Sequence, residues 1–103
     1  MATVVTSTML GGLRQHIVDM CSYAEFKAGG SWHRVELDYA IVQQNGAVHI
    51  AFYITNDYGD ATDFRLLDAN GNVLAQKTET IEFAPLVSKI LYRFKFAVNV
   101  LNE

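Results

Sequence analysis

One cysteine, Cys21, and one proline, Pro85, are all that this chain of 103 residues has of either type. A lone cysteine excludes an intrachain disulfide and with it the disulfide-stapled secreted miniprotein; only an intermolecular bridge is left open to it. Scarce proline, with 18% charged against 50% apolar residues, sets the composition apart from that of disordered segments. An excess of positive charge is missing too. The 8 basic residues are outnumbered by 11 acidic ones, for a formal charge of -3, which argues against nucleic acid or an anionic membrane as partner. No run approaches the roughly 18–20 consecutive apolar residues of a membrane helix. The first basic residue is Arg14, unlike the charged start of a secretory signal, so cytoplasmic synthesis is expected. Two halves would each be too small to bury a core, so residues 1–103 are read as a single domain.

What is present is periodicity. Over residues 7–21, Leu10, Leu13, Ile17 and Met20 recur at spacings of three and four, one face of a helix. Thr6 or Ser7 is placed to cap it, while Gly11 and Gly12 weaken its first turns by roughly 1 kcal/mol each. Residues 22–28 alternate as a short strand before Gly29-Gly30. From Trp32 the period is two: His33, Val35, Leu37, Tyr39 and Ile41 share one face of a long strand. Asn45-Gly46 then fits a two-residue type I′ turn. That turn pairs Gln44 with Ala47, Ile41 with Ile50, Tyr39 with Phe52 and Leu37 with Ile54, and predicts these six apolar residues from Leu37 to Ile54 as the heart of the core. Asn70-Gly71 joins residues 62–69 to 72–78, pairing Leu67 with Leu74, Leu66 with Ala75 and Phe64 with Lys77, or else uses a bulge or longer loop. A last strand over 89–101 puts Ile90, Tyr92, Phe94, Phe96, Val98 and Val100 on one face. The expected fold class is mainly β: an antiparallel sheet or small β-sandwich of about six strands with one N-terminal α-helix. The helix lies either across a single curved sheet or at the edge of two.

Candidate chemistry is thin. His33 and His49 are expected on opposite faces and His16 on the helix, without metal-ligand spacing. Cys21 stands about 140° around the helix from His16, poorly placed for a base to activate it. Asp57, Asp60 and Asp63 crowd NDYGDATD, and Asp68, Asn70, Asn72 and Glu79 occupy positions 1, 3, 5 and 12 of an EF-hand count. Position 6 of that count is Val73 where glycine is required, so a hairpin turn explains these residues better than calcium. No GxGxxG, Walker loop or GxSxG motif occurs. The expectation is a protein that is not an enzyme, with no catalytic residue, no cofactor and no metal site.

The segments FRLLDANGNVLAQKTETIEF and ILYRFKFAVNV set an apolar strand, Asp68, a turn containing Gly71 and a second apolar strand in series. In this they resemble small bacteriophage and prophage tail-associated proteins, of the tail-fibre or collar-like kind. The helix, SYAEFKAGG and the long hairpin are compatible with that resemblance. It implies a virion or tail-assembly component that works through oligomerisation, with itself and other tail or virion proteins as partners and no catalytic residue to carry over. On the last strand Leu91, Ala97 and Leu101 alternate with the inward aromatics and share their face with Lys89, Arg93 and Lys95. Lys89, Leu91, Arg93, Lys95 and Leu101 are therefore the candidate interface, with the acidic loop of Asp57, Asp60 and Asp63 as its complement in charge. The alternative is a small β-sandwich module binding carbohydrate or another ligand on an aromatic platform of Trp32, Tyr53 and Tyr58.

Overall fold

The computed structural model describes residues 6–97. The helical spacing builds α1 (Ser7–Met20), capped by Thr6, whose hydroxyl accepts the Met9 amide at 3.2 Å. Seven strands follow: β1 (Tyr23–Ala28), β2 (Ser31–Val35), β3 (Tyr39–Val42), β4 (Ala47–Thr55), β5 (Ala61–Leu67), β6 (Val73–Ile81) and β7 (Lys89–Ala97). They form two antiparallel sheets, ordered β2-β1-β5-β6 and β3-β4-β7. Ala24, Phe26, Phe64 and Leu66 of the first sheet and Ile50, Phe52, Tyr92 and Phe94 of the second belong to one buried cluster. Between the sheets the rings of Phe64 and Tyr92 stack with centroids 3.8 Å apart. Of the two burial schemes the two-sheet one forms, and the helix closes one end of it by packing Ile17, Val18 and Cys21 against the core. Among the described residues no helix is long and apolar enough to cross a membrane.

The long strand expected from Trp32 to Val42 is two strands in different sheets. Residues 36–38 carry the chain from the first sheet to the second, and the inward parity changes on the way. His33 and Val35 pair with Phe26 and Ala24, whereas in β3 it is Ala40 and Val42 that pack on the core. Ile41 points outward at 43% exposure.

The first hairpin has slipped by one residue from its expected register. Tyr39 pairs with Ala51, Ala40 with Ile50, Ile41 with His49 and Val42 with Val48. The cause is the turn. A type I′ turn needs positive φ at both central residues, but only Gly46 has it, at +88°, and Asn45 does not. Instead Asn45 Oδ1 accepts the Ala47 amide at 3.0 Å, and the Gln43 amide donates to the Ala47 carbonyl at 2.7 Å. The loop is thus residues 44–46, the three-residue kind with glycine in the left-handed position. Any side chain at Gly46 would also collide with the Arg14 guanidinium, 2.6 Å from where a Cβ would stand.

The second hairpin uses the same device. Asp68 and Asn72 close a loop of residues 69–71, with Gly71 at φ +82°. Leu67 therefore meets Val73 rather than Leu74, but a bulge follows, and Leu66 with Ala75 and Phe64 with Lys77 pair as expected. The inward alternation of Ile90, Tyr92, Phe94 and Phe96 on β7 is also present, while Val98, Val100 and Leu101 lie outside the described residues.

The register has a direct consequence for stability. Phe52, wholly buried, should lose about 3–5 kcal/mol as Phe52→Ala. Ile41→Lys should change stability by less than about 0.5 kcal/mol, as at an ordinary surface site. Denaturant melts of the two variants check this, and a large loss for Ile41→Lys would restore the two-residue turn.

Candidate functional site

The ladder between β4 and β7 determines what the outer surface of the second sheet offers. Bonded and non-bonded pairs alternate in an antiparallel ladder. The Asn56 amide donates to the Ser88 carbonyl at 3.0 Å, one step beyond the pair of Thr55 and Lys89. The bonded pairs are therefore those of Ile90, Tyr92, Phe94 and Phe96. Lys89, Leu91, Arg93 and Lys95 turn their own amides and carbonyls the other way, toward the side of β7 on which no strand pairs among the described residues. Their side chains lie on the outer face beside those of β4, Tyr53 next to Leu91 and His49 next to Lys95.

That face is apolar and basic together. Leu91 is 42% and Tyr53 38% exposed, and Ile41 lies on the same face two strands away. The Lys89 ammonium sits 4.4 Å from the centre of the Tyr53 ring. Arg93 and Lys95 have no ion-pair partner among the described residues. The half-buried His49 registers them: desolvation first, then the charges of Arg93 and Lys95, hold its imidazole below the ordinary histidine range. The helix packs on β3 and β4 and leaves Leu91 uncovered. Leu101, the remaining candidate interface residue, lies outside the described residues.

The outer face of the first sheet is the opposite case, because its charges are consumed locally. Arg65 binds Glu25 through Nη2 at 2.6 Å and Nε at 2.7 Å while its guanidinium lies 3.8 Å over the Trp32 ring. Arg34 lies 3.8 Å over Tyr23. Asp63 accepts the Thr78 hydroxyl at 2.7 Å and that of Thr62 at 3.1 Å. The Thr78 bond is the main reason its carboxyl titrates below the usual carboxylate range.

The structure does not bring the aromatic platform together. Trp32 is on the outer face of the first sheet and Tyr53 on that of the second, while Tyr58, in the β4–β5 connection, stacks on His33 at 3.6 Å. His33 is itself held inward, its Nε2 2.9 Å from the Ala28 carbonyl. The acidic loop is divided as well: Asp57 and Asp60 are exposed in the connection, but Asp63 belongs to β5. Asp68 spends its carboxylate on the turn, accepting the amides of Asn70 and Asn72 and the Asn72 side chain. The Asn72 side chain contributes most to lowering its pKa. Among the described residues no three His, Cys, Asp or Glu side chains gather where a metal ion would fit.

Two features escaped sequence reasoning. An apolar recess of about 250 Å³ lies between the end of α1 and the strands β6 and β7, lined by Ile17, Met20, Cys21, Leu66, Leu74 and Phe96. Burial there pushes the Cys21 thiol up, away from nucleophilic character. Leu86, fully exposed, has φ +70° after Pro85, and the Val87 amide donates to the Ala84 carbonyl at 3.1 Å. This is the pattern of a type II turn, whose third position favours glycine or asparagine. Proline flagged the turn, but nothing in the pattern flagged the leucine.

An NMR titration should place His49 below its ordinary value of 6.5, and Lys95→Ala should move it up. Because the folded state takes this proton later than the unfolded chain, the contribution to stability is complete above 6.5 and falls as pH drops through the interval down to the folded value. A His49 titration unmoved by Lys95→Ala would show the stripe fully screened. Leu86→Asn should hold stability or raise it by up to about 1 kcal/mol, since the left-handed region costs leucine more; a lower melting temperature would instead mean that the leucine is packed.

No family model, curated protein or solved structure matches the chain, so a functional reading stands on the geometry of the two outer faces.

Proposed function

We propose that this chain is a non-enzymatic structural or interaction protein that assembles through the outer face of its second sheet, as a component of the tail-associated kind it resembles. The observation that carries the reading is the contrast between the two outer faces. Arg65, Arg34 and Asp63 are taken up by neighbours on one, while the other leaves Leu91, Tyr53 and Ile41 exposed beside Arg93 and Lys95. Apolar side chains rimmed by charge are what a protein contact offers. Copies of the chain are the first partners to consider, because Leu91 and Tyr53 meet across β7 and β4 on a face that a second sheet would cover. The ligand-platform alternative loses its basis, since Trp32, Tyr53 and Tyr58 stand on separate surfaces.

Light scattering at tens of micromolar should give a mass above the 11.5 kDa of one chain, and Leu91→Lys should return it to that value while still melting cooperatively, its melting temperature no longer dependent on concentration. A wild-type protein that stays at the single-chain mass removes self-assembly through this face.

A further inference from the structure

Beyond the face itself, β7 offers its backbone. From the pairing of β4 with β7, we infer that the edge of β7 left unpaired among the described residues accepts an extended strand from another protein, one in which acidic residues alternate with apolar ones. The donors and acceptors are set out in a row, because Lys89, Leu91, Arg93 and Lys95 direct their amides and carbonyls away from β4. An added antiparallel strand bonds to those residues, and its side chains directly opposite them fall on the outer face. Acidic groups there meet Lys89, Arg93 and Lys95, the latter two lacking an ion-pair partner among the described residues. An apolar group suits the place opposite Leu91. The intervening side chains of the added strand fall on the inner side, next to Ile90 and Phe96, which are only half-buried while Tyr92 and Phe94 between them are buried. Apolar residues at those alternate positions complete that cover.

The occupant is not a second copy of β7. Antiparallel self-pairing centred on Arg93 sets Arg93 against Arg93, and centred on Tyr92 it sets Lys89 against Lys95, and like charges directly opposite destabilise a pair. The loop acids do not supply the strand either, since Asp57 and Asp60 lie in the connection between β4 and β5, outside any strand. The three basic residues instead repel a basic or identical edge and select an acidic one.

The test is a titration of the ¹⁵N-labelled full chain with a peptide of β7's length, nine residues, alternating glutamate and valine. Shifts and hydrogen-exchange protection should appear at the amides of Leu91, Arg93 and Lys95. A lysine-valine peptide should bind at least about tenfold more weakly, the scale expected from three reversed cross-strand charge pairs. So should the glutamate-valine peptide N-methylated on the residues that bond to β7. The double variant Arg93→Glu with Lys95→Glu should reverse the preference between the two charged peptides; if it does not fold, the peptide comparison on the wild-type chain decides alone. Equal binding by oligoglutamate would mean a general polyanion surface, and equal binding by the N-methylated peptide would mean no strand addition; either overturns the inference. Light scattering keeps the two proposals apart. A chain that binds the peptide but stays at single-chain mass loses only self-assembly, and one that assembles but ignores the peptide loses only the edge.

Discussion

Which side chains of β3 are inside depends on one torsion angle. Positive φ at Gly46 without positive φ at Asn45 makes the loop three residues long rather than two. Side chains alternate with period two, so that single residue exchanges the faces of the strand. Ala40 and Val42 go inward, and Ile41 is left in water. The outward Tyr39 and Ile41 then extend a surface that β4 and β7 alone would make narrower. The Asn45 side chain secures the arrangement by taking the Ala47 amide, and Arg14 lies over the glycine, so the turn is also where the helix meets the second sheet.

The two sheets share a core but treat their outer charges differently. On the first, each cation has an acid or a ring within reach, and the strand order β2-β1-β5-β6 aligns them: Arg34 beside Glu25, Glu25 beside Arg65, Lys27 beside Asp63. Such a lattice is satisfied within the sheet and offers a partner few free charges. On the second, β7 brings three cations and β4 and β3 bring no acid to meet them. His49 sits among those cations with its Nε2 buried and without a hydrogen-bond partner among the described residues. Charge that has nowhere to go within the fold is the physical basis for looking outward from this face.

Much of this was legible in the sequence, and the failures share a cause. Apolar periodicity located α1, β1 and β7, and the alternation of Ile90, Tyr92, Phe94 and Phe96 correctly marked the inner face. The outward set of Leu91, Arg93 and Lys95 followed from the same parity. Asn-Gly marked both hairpins but not their loop lengths, because the pair is compatible with two- and three-residue turns. In the second hairpin a bulge after Leu67 cancels the error, and in the first nothing does. The change of sheet at residues 36–38 was hidden by an alternation that runs unbroken from His33 to Ile41. Periodicity reports that a strand is two-faced, but not which sheet owns it. The contact between Arg65 and Trp32 joins residues far apart in the chain, and no local pattern foreshadows it.

The position of β7 beside β4 also bears on how the chain acquires its fold. Ala47 pairs with Ala97 and Thr55 with Lys89, so the central strand of the second sheet waits for its second partner until β5 and β6 have been made. Local hairpins such as β3–β4 close early, at small loss of chain entropy, while this long-range pairing comes late. Until it forms, Ile50, Phe52 and Ile54 lie along a strand paired on one side only, without Tyr92 and Phe94 to cover them. Before β7 pairs, β4 is an apolar edge, the kind of exposure that makes incomplete folds prone to aggregate. The lysines and arginine of β7 therefore arrive with the strand that ends that exposure, and the hazard moves from an apolar edge to a charged one.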